Sequence, residues 1–140
     1  MENDYIIGDT DIRRLIVKAL EARERAYARY SQFKVGAALL AGRENYSDEA
    51  ECVGGESDNN DKNANGYRVF TGCNIENSSY GATICAERAA VCNAVSSGYK
   101  DFKAIAIVGG LNSTGINGIT YPCGICRQVL SEFSADMYVI

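Results

Sequence analysis

The sequence contains no histidine. This absence excludes every Ser–His and Cys–His catalytic pair, and it excludes imidazole as a metal ligand. Any transition-metal site in this chain must therefore use thiolate or carboxylate ligands. Basic residues are also fewer than acidic ones, 14 Lys and Arg against 18 Asp and Glu, with a formal net charge of -4. That balance argues against a surface that neutralises nucleic-acid phosphates and favours a small-molecule partner.

Residues 1–5 lack the basic and apolar regions of a secretion signal, and no apolar run in the sequence is long enough to span a bilayer. We therefore expect a cytoplasmic protein. Six cysteines in a chain without a secretion signal favour metal binding over a disulfide framework. They are Cys52, Cys73, Cys85, Cys92, Cys123 and Cys126. The length of 140 residues and a hydrophobic content of 46% suit one domain, 1–140, with a single core.

The periodicity of apolar residues predicts the order helix, two strands, helix, strand, helix, strand, which is typical of an α/β domain with helices covering a sheet. We expect Asp9 and Thr10 to cap the first helix, whose apolar positions run from Ile12 to Tyr27, and Thr83 to cap the second helix. The predicted strands are 35–41, 67–73, 103–108 and 137–140, and the later helices are 83–97 and 123–133. Gly36 and the neighbouring alanines indicate close packing.

Residues 42–66 are rich in Glu, Asp, Asn and Gly, and we interpret them as a long polar loop between two strands of a hairpin. Within it, residues 61–66 match the first six positions of a calcium-binding loop. The twelfth position, however, is Gly72 instead of glutamate, and a strand follows instead of a helix. A polar turn is therefore the better interpretation.

Three cysteines carry the chemistry that the sequence suggests. Cys123 and Cys126 are separated by two residues at a helix start and can bind one metal ion together, and Cys85 near another helix start supplies a third thiolate. Three protein ligands leave the fourth tetrahedral position open for water, as in catalytic zinc sites. The positive ends of both helices would stabilise the thiolates.

Two charged residues follow Cys85 on the same helix. Glu87 lies beside the metal ligands and can carry a proton between water and substrate, so we assign it as the general acid and base. Three thiolates on one dication give a net negative centre, which would weaken its ability to acidify water. We expect Arg88 to donate hydrogen bonds to the ligand sulfurs and so reduce this charge.

Each motif also has a simpler interpretation. A single C-x-x-C pair can be a redox pair or a structural zinc knuckle, and Cys85 alone could be a small core side chain. The combination of Cys-Ala-Glu on one helix with Pro-Cys-x-x-Cys on a later one is more specific, because it matches the H-x-E and P-C-x-x-C signature of zinc deaminases with Cys85 in place of histidine. We interpret Cys73 and Cys92 as core thiols and Cys52 as a loop residue.

These motifs resemble the homotetrameric cytidine deaminases. Four blocks carry the similarity, in the family's order: YSQFKVGAA at 30–38, GCNIEN at 72–77, CAER at 85–88 and PCGICRQV at 122–129. The resemblance implies a three-layer α/β/α fold with a central mixed sheet, one Zn²⁺ per chain and a homotetramer with shared active sites. The small residues of the predicted helix at 86–94 would permit close helix approach in such an assembly.

The resemblance also implies roles in nucleoside binding. Asn74 and Glu76 would bind the ribose hydroxyls, and Phe33 would lie against the pyrimidine. The backbone around Ala86 would meet the polar edge of the base, and Tyr80 would contact a neighbouring subunit's nucleoside. Buried polar partners for a sugar would reject free cytosine.

Three features depart from the family pattern. Arg29 occupies a position where relatives often have proline, and the loop 42–66 is longer than usual. The sequence ends at Ile140, where relatives usually continue to an aromatic residue that reaches a neighbouring active site. We therefore expect weaker stacking on the base and a less stable tetramer.

The expected activity is zinc-dependent hydrolytic deamination of cytidine and deoxycytidine to uridine and deoxyuridine, with release of ammonia, in pyrimidine salvage. One alternative is deamination of a cytosine-bearing antibiotic nucleoside, which the ribose pair Asn74 and Glu76 disfavours. A polynucleotide deaminase is disfavoured by the acidic balance. An inactive nucleoside-binding protein or a structural zinc protein is a further alternative from a different class.

Overall fold

A computed structural model of the protein describes residues 5–43, 62–63 and 65–140. Most of the predicted loop 42–66 therefore lies outside the described residues, as do Cys52 and part of the calcium-like motif. In chain order the elements are α1 (Asp9–Arg23), β1 (Phe33–Gly42), β2 (Arg68–Cys73), a 3₁₀ turn (Tyr80–Ala82), α2 (Ala86–Ser96), β3 (Asp101–Leu111), α3 (Gly124–Phe133) and β4 (Tyr138–Val139). The predicted order of helices and strands is confirmed.

The four strands form one mixed sheet in the order β2-β1-β3-β4. β1 pairs antiparallel with both neighbours, so that Ala38 lies opposite Thr71 on one side and Ala106 on the other. β3 and β4 pair in parallel. β1 is buried from Gly36 onwards because both of its edges are paired and both of its faces are covered. The predicted hairpin and the mixed sheet are confirmed.

Helices cover both faces of the sheet, as the three-layer prediction requires. On one face, Leu15 and Ala19 of α1 pack with Leu40 and Ala106. The opposite face carries a second core cluster that includes residues of α2, α3, β1 and β3, among them Ala90, Leu130, Leu39 and Ile105. Alternate residues of β1 thus enter different cores, because successive side chains of a strand point to opposite faces.

Two glycines allow the helices to approach the sheet closely. A Cβ atom on Gly36 would lie 2.0 Å from the carbonyl oxygen of Ala19, and one on Gly72 would lie 2.4 Å from that of Ala86. Gly72 therefore lets the first turn of α2 rest directly on β2. Since Cys85 immediately precedes this turn, the same close contact fixes where its thiol lies.

The structure corrects the predicted starts of α1 and α2 and the predicted end of α1. α1 is preceded by Gly8 and ends at Arg23, because Tyr27 instead pairs with the segment around Ile75. α2 begins at Ala86, with Cys85 and not Thr83 at its N-cap, because Ile84 exchanges backbone hydrogen bonds with Ile75.

Burial corrects two further expectations. Cys92, predicted to be a core thiol, is exposed, because it lies on the face of α2 that points away from the sheet, while Cys73 is half-buried. The helix alanines expected to permit contact between subunits are mostly used within the chain: Ala86, Ala90 and Ala94 are fully buried in the core beneath α2. Among the described residues, no helix has the length and apolar character that crossing a bilayer requires.

Candidate active site

The two helix starts on the same face of the sheet bring three thiols together. Cys85 is the N-cap of α2, Cys123 is the N-cap of α3, and Cys126 lies in the first turn of α3. Their sulfur atoms all lie within 4.8 Å of one another, and those of Cys85 and Cys123 are 3.7 Å apart. Two thiolates bound to one tetrahedral zinc ion at the usual zinc–sulfur distance are separated by about 3.8 Å. The three predicted ligands therefore form a group that could hold a zinc ion.

The thiols of the C-x-x-C pair have different surroundings. Cys126 is fully buried, and this burial, together with the nearby carboxylate of Glu87, raises its pKa. Cys123 is exposed, and the backbone N–H of Cys126, with that of Ile125, lowers its pKa. The start of α3 thus favours a thiolate at Cys123, whereas the buried Cys126 thiolate requires a compensating positive charge. A divalent cation bound by sulfur would supply that charge.

Glu87 lies in the first turn of α2 and is only 4% exposed. Burial raises the pKa of its carboxyl above the ordinary value, and the opposing contributions include contact with Cys126 and the positive charge of Arg88. A buried carboxyl beside the thiol cluster, with a raised pKa, has the environment expected of a group that takes up and releases a proton.

Arg88 contacts the thiol cluster at Cys85. Its Nη2 donates to the carbonyl oxygen of Thr83 at 3.0 Å and to the sulfur of Cys85 at 3.6 Å. The bond to Cys85 is the main reason why the pKa of Arg88 is raised. The carbonyl of Thr83 holds the guanidinium in place, so Arg88 directs positive charge at the sulfur of Cys85.

A cleft of about 370 Å³ contains two of the predicted substrate contacts, and its lining is Tyr30, Ser31, Glu76, Tyr80 and Thr83. The carboxylate of Glu76 accepts hydrogen bonds from the N–H groups of Tyr30 (2.9 Å) and Ser31 (3.2 Å) and from the Ser31 hydroxyl. These bonds, the hydroxyl's first among them, lower the pKa of Glu76. Tyr80 is 79% exposed at the cleft.

The side chain of Asn74 is hydrogen-bonded to the backbone at the start of β1. Its Oδ1 accepts from the N–H of Val35 at 2.8 Å, and its Nδ2 donates to the carbonyl oxygen of Phe33 at 2.9 Å. An amide group has two N–H donors, and the bond to Phe33 uses one of them. Asn74 is buried, which makes its orientation rigid.

The structure separates Phe33 from the Glu76 cleft. Its ring lines a neighbouring groove of about 250 Å³, together with residues of the segment 109–120 such as Gly109 and Thr120. Ala86 is fully buried beside Cys85, with its carbonyl oxygen against Gly72. Of the predicted substrate contacts, Glu76 and Tyr80 share one cleft, while Phe33 faces another.

Three residues that build this region were not predicted to lie at the site, although Thr83 was predicted to cap a helix. Ser31 is bound to Glu76, Thr83 holds Arg88, and Arg127 donates from Nε to the carbonyl oxygen of Pro122 at 3.0 Å. Ser31 and Arg127 belong to the motif blocks, so their position in the sequence is a signal that could have identified them. Thr83 acts through its backbone carbonyl. Every residue type has this group, so the sequence could not indicate the contact.

The fold and the site together define a class. Three thiols at two helix starts, with a buried carboxyl between them, form the donor and acid–base set of a metal-dependent hydrolase.

Comparison with known proteins identifies the family within that class. Residues 60–140 match the family described as the cytidine and deoxycytidylate deaminase zinc-binding region. A cytidine deaminase from Sporosarcina psychrophila is 42% identical over 123 residues, which is 88% of this chain and 70% of the relative. A crystal structure of cytidine deaminase from Mycobacterium tuberculosis superimposes with a TM-score of 0.68 at 37% identity, covering 94% of this chain and 85% of the other. One from Burkholderia pseudomallei has a TM-score of 0.66 at 41% identity, covering 91% and 80%.

The chain belongs to the cytidine deaminase family and is a hydrolytic deaminase. The resemblance inferred from the four sequence blocks and the α/β/α fold are both confirmed.

Proposed function

We propose that this chain is a zinc-dependent cytidine deaminase that converts cytidine and deoxycytidine, with water, to uridine and deoxyuridine and ammonia. The observation that carries this proposal is the placement of Glu87 beside three clustered thiols, in a chain whose relatives are named cytidine deaminases. We propose a role in pyrimidine salvage in the cytoplasm, with the whole chain 1–140 acting as one domain.

In this proposal Cys85, Cys123 and Cys126 hold one Zn²⁺ per chain. The three soft sulfur donors suit zinc and leave one tetrahedral position without a protein ligand. When bound, zinc supplies the Lewis acidity that makes water a nucleophile at neutral pH. Arg88 offsets part of the negative charge of the three thiolates through its contact with Cys85.

Glu87 moves the proton. Its carboxylate accepts a proton from the attacking water and delivers it to N3 of the pyrimidine. The same carboxylate then takes the proton of the hydroxyl group now on C4 and delivers it to the amino group, so that the C4–N bond breaks. Ammonia leaves from C4, and the ring keeps the oxygen of the water. The raised pKa of Glu87 makes its carboxylate a stronger base, which favours uptake of the proton from water.

Glu76 and Asn74 bind the sugar. A carboxylate has about four acceptor positions, and three on Glu76 are occupied by Tyr30 and Ser31. One acceptor on Glu76 and one N–H donor on Asn74 therefore remain. A ribose hydroxyl can donate to the first and accept from the second, which is the polar pairing that free cytosine lacks. Phe33 and the backbone around Ala86 would contact the base.

We further propose that the chain assembles as a homotetramer in which Tyr80 contacts a neighbouring subunit's nucleoside. The support is a set of exposed apolar side chains near the site. Contact with water is unfavourable for apolar surface, and an interface between subunits would bury it. These side chains are Tyr80, Ile119, Tyr121 and Ile125.

Two measurements test the proposal. Protein purified without chelators should contain one zinc ion per chain by elemental analysis, and it should form uridine from cytidine. Protein with zinc but no uridine formation would favour a structural zinc protein, and protein without zinc would reject the metal site. Light scattering coupled to size exclusion tests the assembly, since a fully active monomer excludes shared sites.

A further inference from the structure

Gln32 has a backbone conformation that a glutamine rarely adopts. Its φ is 58°, and among the described residues it is the sole non-glycine residue with a positive φ. The left-handed region brings the Cβ of an L-residue too close to the following carbonyl, so glycine or asparagine is the usual occupant. A strained residue persists only where the surrounding contacts hold it, and such residues cluster at functional sites.

The contacts that hold Gln32 come from two different segments. Within its own turn, its Nε2 donates to the carbonyl oxygen of Arg29 at 2.9 Å, and its N–H donates to that of Ala28 at 3.0 Å. From the segment after β3, Asn112 donates twice: its backbone N–H to the carbonyl oxygen of Gln32 at 2.9 Å, and its Nδ2 to Oε1 of Gln32 at 3.2 Å. We name the Gln32–Asn112 pair the clasp.

The clasp joins the two segments that border the candidate site. The residues before Gln32, Tyr30 and Ser31, line the Glu76 cleft, whereas Phe33 lines the neighbouring groove. The other wall of that groove is the segment 109–120, which contains Asn112 close to its start and leads to Pro122 and Cys123. The left-handed turn at Gln32 is the point at which the chain changes direction between the two recesses.

We propose that Gln32 and Asn112 are positioning residues for the nucleoside. The clasp fixes the turn 29–33 against the segment 109–120, so that Ser31 meets Glu76 in one recess and Phe33 faces the other. Glu87 and Cys126 lie on α2 and α3, and Cys85 and Cys123 are the N-caps of these helices, whereas neither clasp residue belongs to them. The clasp therefore acts on substrate binding and leaves the proton-transfer step unchanged. This inference rests on the proposed cytidine deaminase activity.

Steady-state kinetics with cytidine tests the clasp. Asn112→Ala removes one hydrogen bond and should raise KM about fivefold, and Gln32→Ala, which also removes the bond to Arg29, should raise it at least as much, with kcat of both within about twofold of the parent. The double variant should raise KM no further than Gln32→Ala alone, because within the described part of the chain the Asn112 side chain bonds only Gln32. Ser113→Ala, at an exposed neighbouring position, is the matched control and should leave both constants unchanged.

Gln32→Gly separates positioning from stability. Glycine adopts a positive φ without strain, so this variant should unfold at a temperature at least as high as Gln32→Ala. Its KM should nevertheless stay raised, because it also lacks the side-chain bond to Asn112. Recovery of the parent KM in Gln32→Gly would show that Gln32 matters only for stability and would overturn the proposal. Unchanged KM in both single variants, or independent effects in the double variant, would overturn it as well.

Amide hydrogen exchange without substrate distinguishes failure of the clasp from failure of the proposed activity. Asn112 N–H should be protected in the parent and exchange faster in Gln32→Ala, whether or not the protein deaminates cytidine. A parent without activity but with this protection pattern would reject the proposed substrate and retain the coupling of the two segments. Equal exchange of Asn112 N–H in both proteins would reject the clasp itself.

Discussion

Replacing Glu87 with glutamine should abolish most turnover while leaving the fold and the metal site intact. Glutamine has nearly the same shape, so it fits the space of a side chain that is 4% exposed. Its amide cannot take a proton from water or deliver one to N3. A positioned general acid or base contributes about 10²- to 10⁴-fold to a rate, equivalent to roughly 3–5 kcal/mol of transition-state stabilisation.

The assay is the initial rate of uridine formation from saturating cytidine, with parallel zinc analysis and thermal unfolding of each protein. Glu87→Gln should have a kcat lower by at least about 100-fold with zinc content unchanged. Glu87→Asp is an informative intermediate, because it retains a carboxyl but shortens its reach, and misplacement by about 1 Å can itself cost about 100-fold.

Glu132→Gln is the matched control for charge removal, since Glu132 is an exposed carboxylate on α3. It should have the parent kcat. A Glu87→Gln protein that retains zinc and turns over cytidine within about tenfold of the parent would remove Glu87 from the mechanism, since general acid–base catalysis is worth at least about 100-fold.

Three further predictions concern the thiol cluster, the contact between α2 and the sheet, and the Glu76 carboxylate. Cys126→Ala should lose bound zinc, because it removes a fully buried member of the thiol cluster, and elemental analysis that still finds one zinc ion per chain would contradict this. Gly72→Ala should lower the free energy of unfolding by about 1–3 kcal/mol in denaturant titration, because the added Cβ would lie 2.4 Å from backbone atoms of α2. Ser31→Ala should raise the pKa of Glu76 in an NMR titration, because the Ser31 hydroxyl is the main cause of its lowered value.

The Gly72→Ala prediction has a matched control. Gly81→Ala adds the same methyl group where no atom lies within 4 Å, so its stability should match the parent if steric overlap is the cause. The lowered pKa of Glu76 determines how the stability of the turn depends on pH. The stabilisation of the turn is present at neutral pH and is lost as the pH falls through the folded-state pKa. An unchanged Glu76 pKa in Ser31→Ala would reject the hydrogen bond.

Much of the fold could be predicted because its signals are local. The order of elements follows from apolar periodicity, and the helices that carry the cysteines begin within three residues of their predicted starts. The absence of histidine restricted the ligands to thiolate and carboxylate, and the spacing of Cys123 and Cys126 at a helix start already implied that they share one ion. These properties depend on residues that are close together in the sequence. Within one helix or strand, the number of residues between two side chains largely determines their relative positions.

Other properties depended on contacts between distant segments. Thr83 is a good helix cap by residue type, yet α2 begins after Cys85 because Ile84 pairs with Ile75 across a loop. The same cause ends α1 early, since Tyr27 joins that pairing. Local preference for a helix is worth only tenths of a kcal/mol per residue, about the scale at which a single backbone pairing can reverse it.

The orientation of side chains at the site was also decided by the tertiary structure. Residue type alone shows that Asn74 and Glu76 are polar, but it does not show that Asn74 is bound to β1 or that Glu76 holds the turn at Ser31. Nor does a sequence reveal the left-handed backbone of Gln32, because glutamine is not a residue that signals such a turn. The sequence by itself determined which chemical groups are available and on which elements they lie. Their mutual distances were decided by how the helices rest on the sheet, because only packing between segments far apart in the chain brings these groups within hydrogen-bonding or metal-binding reach.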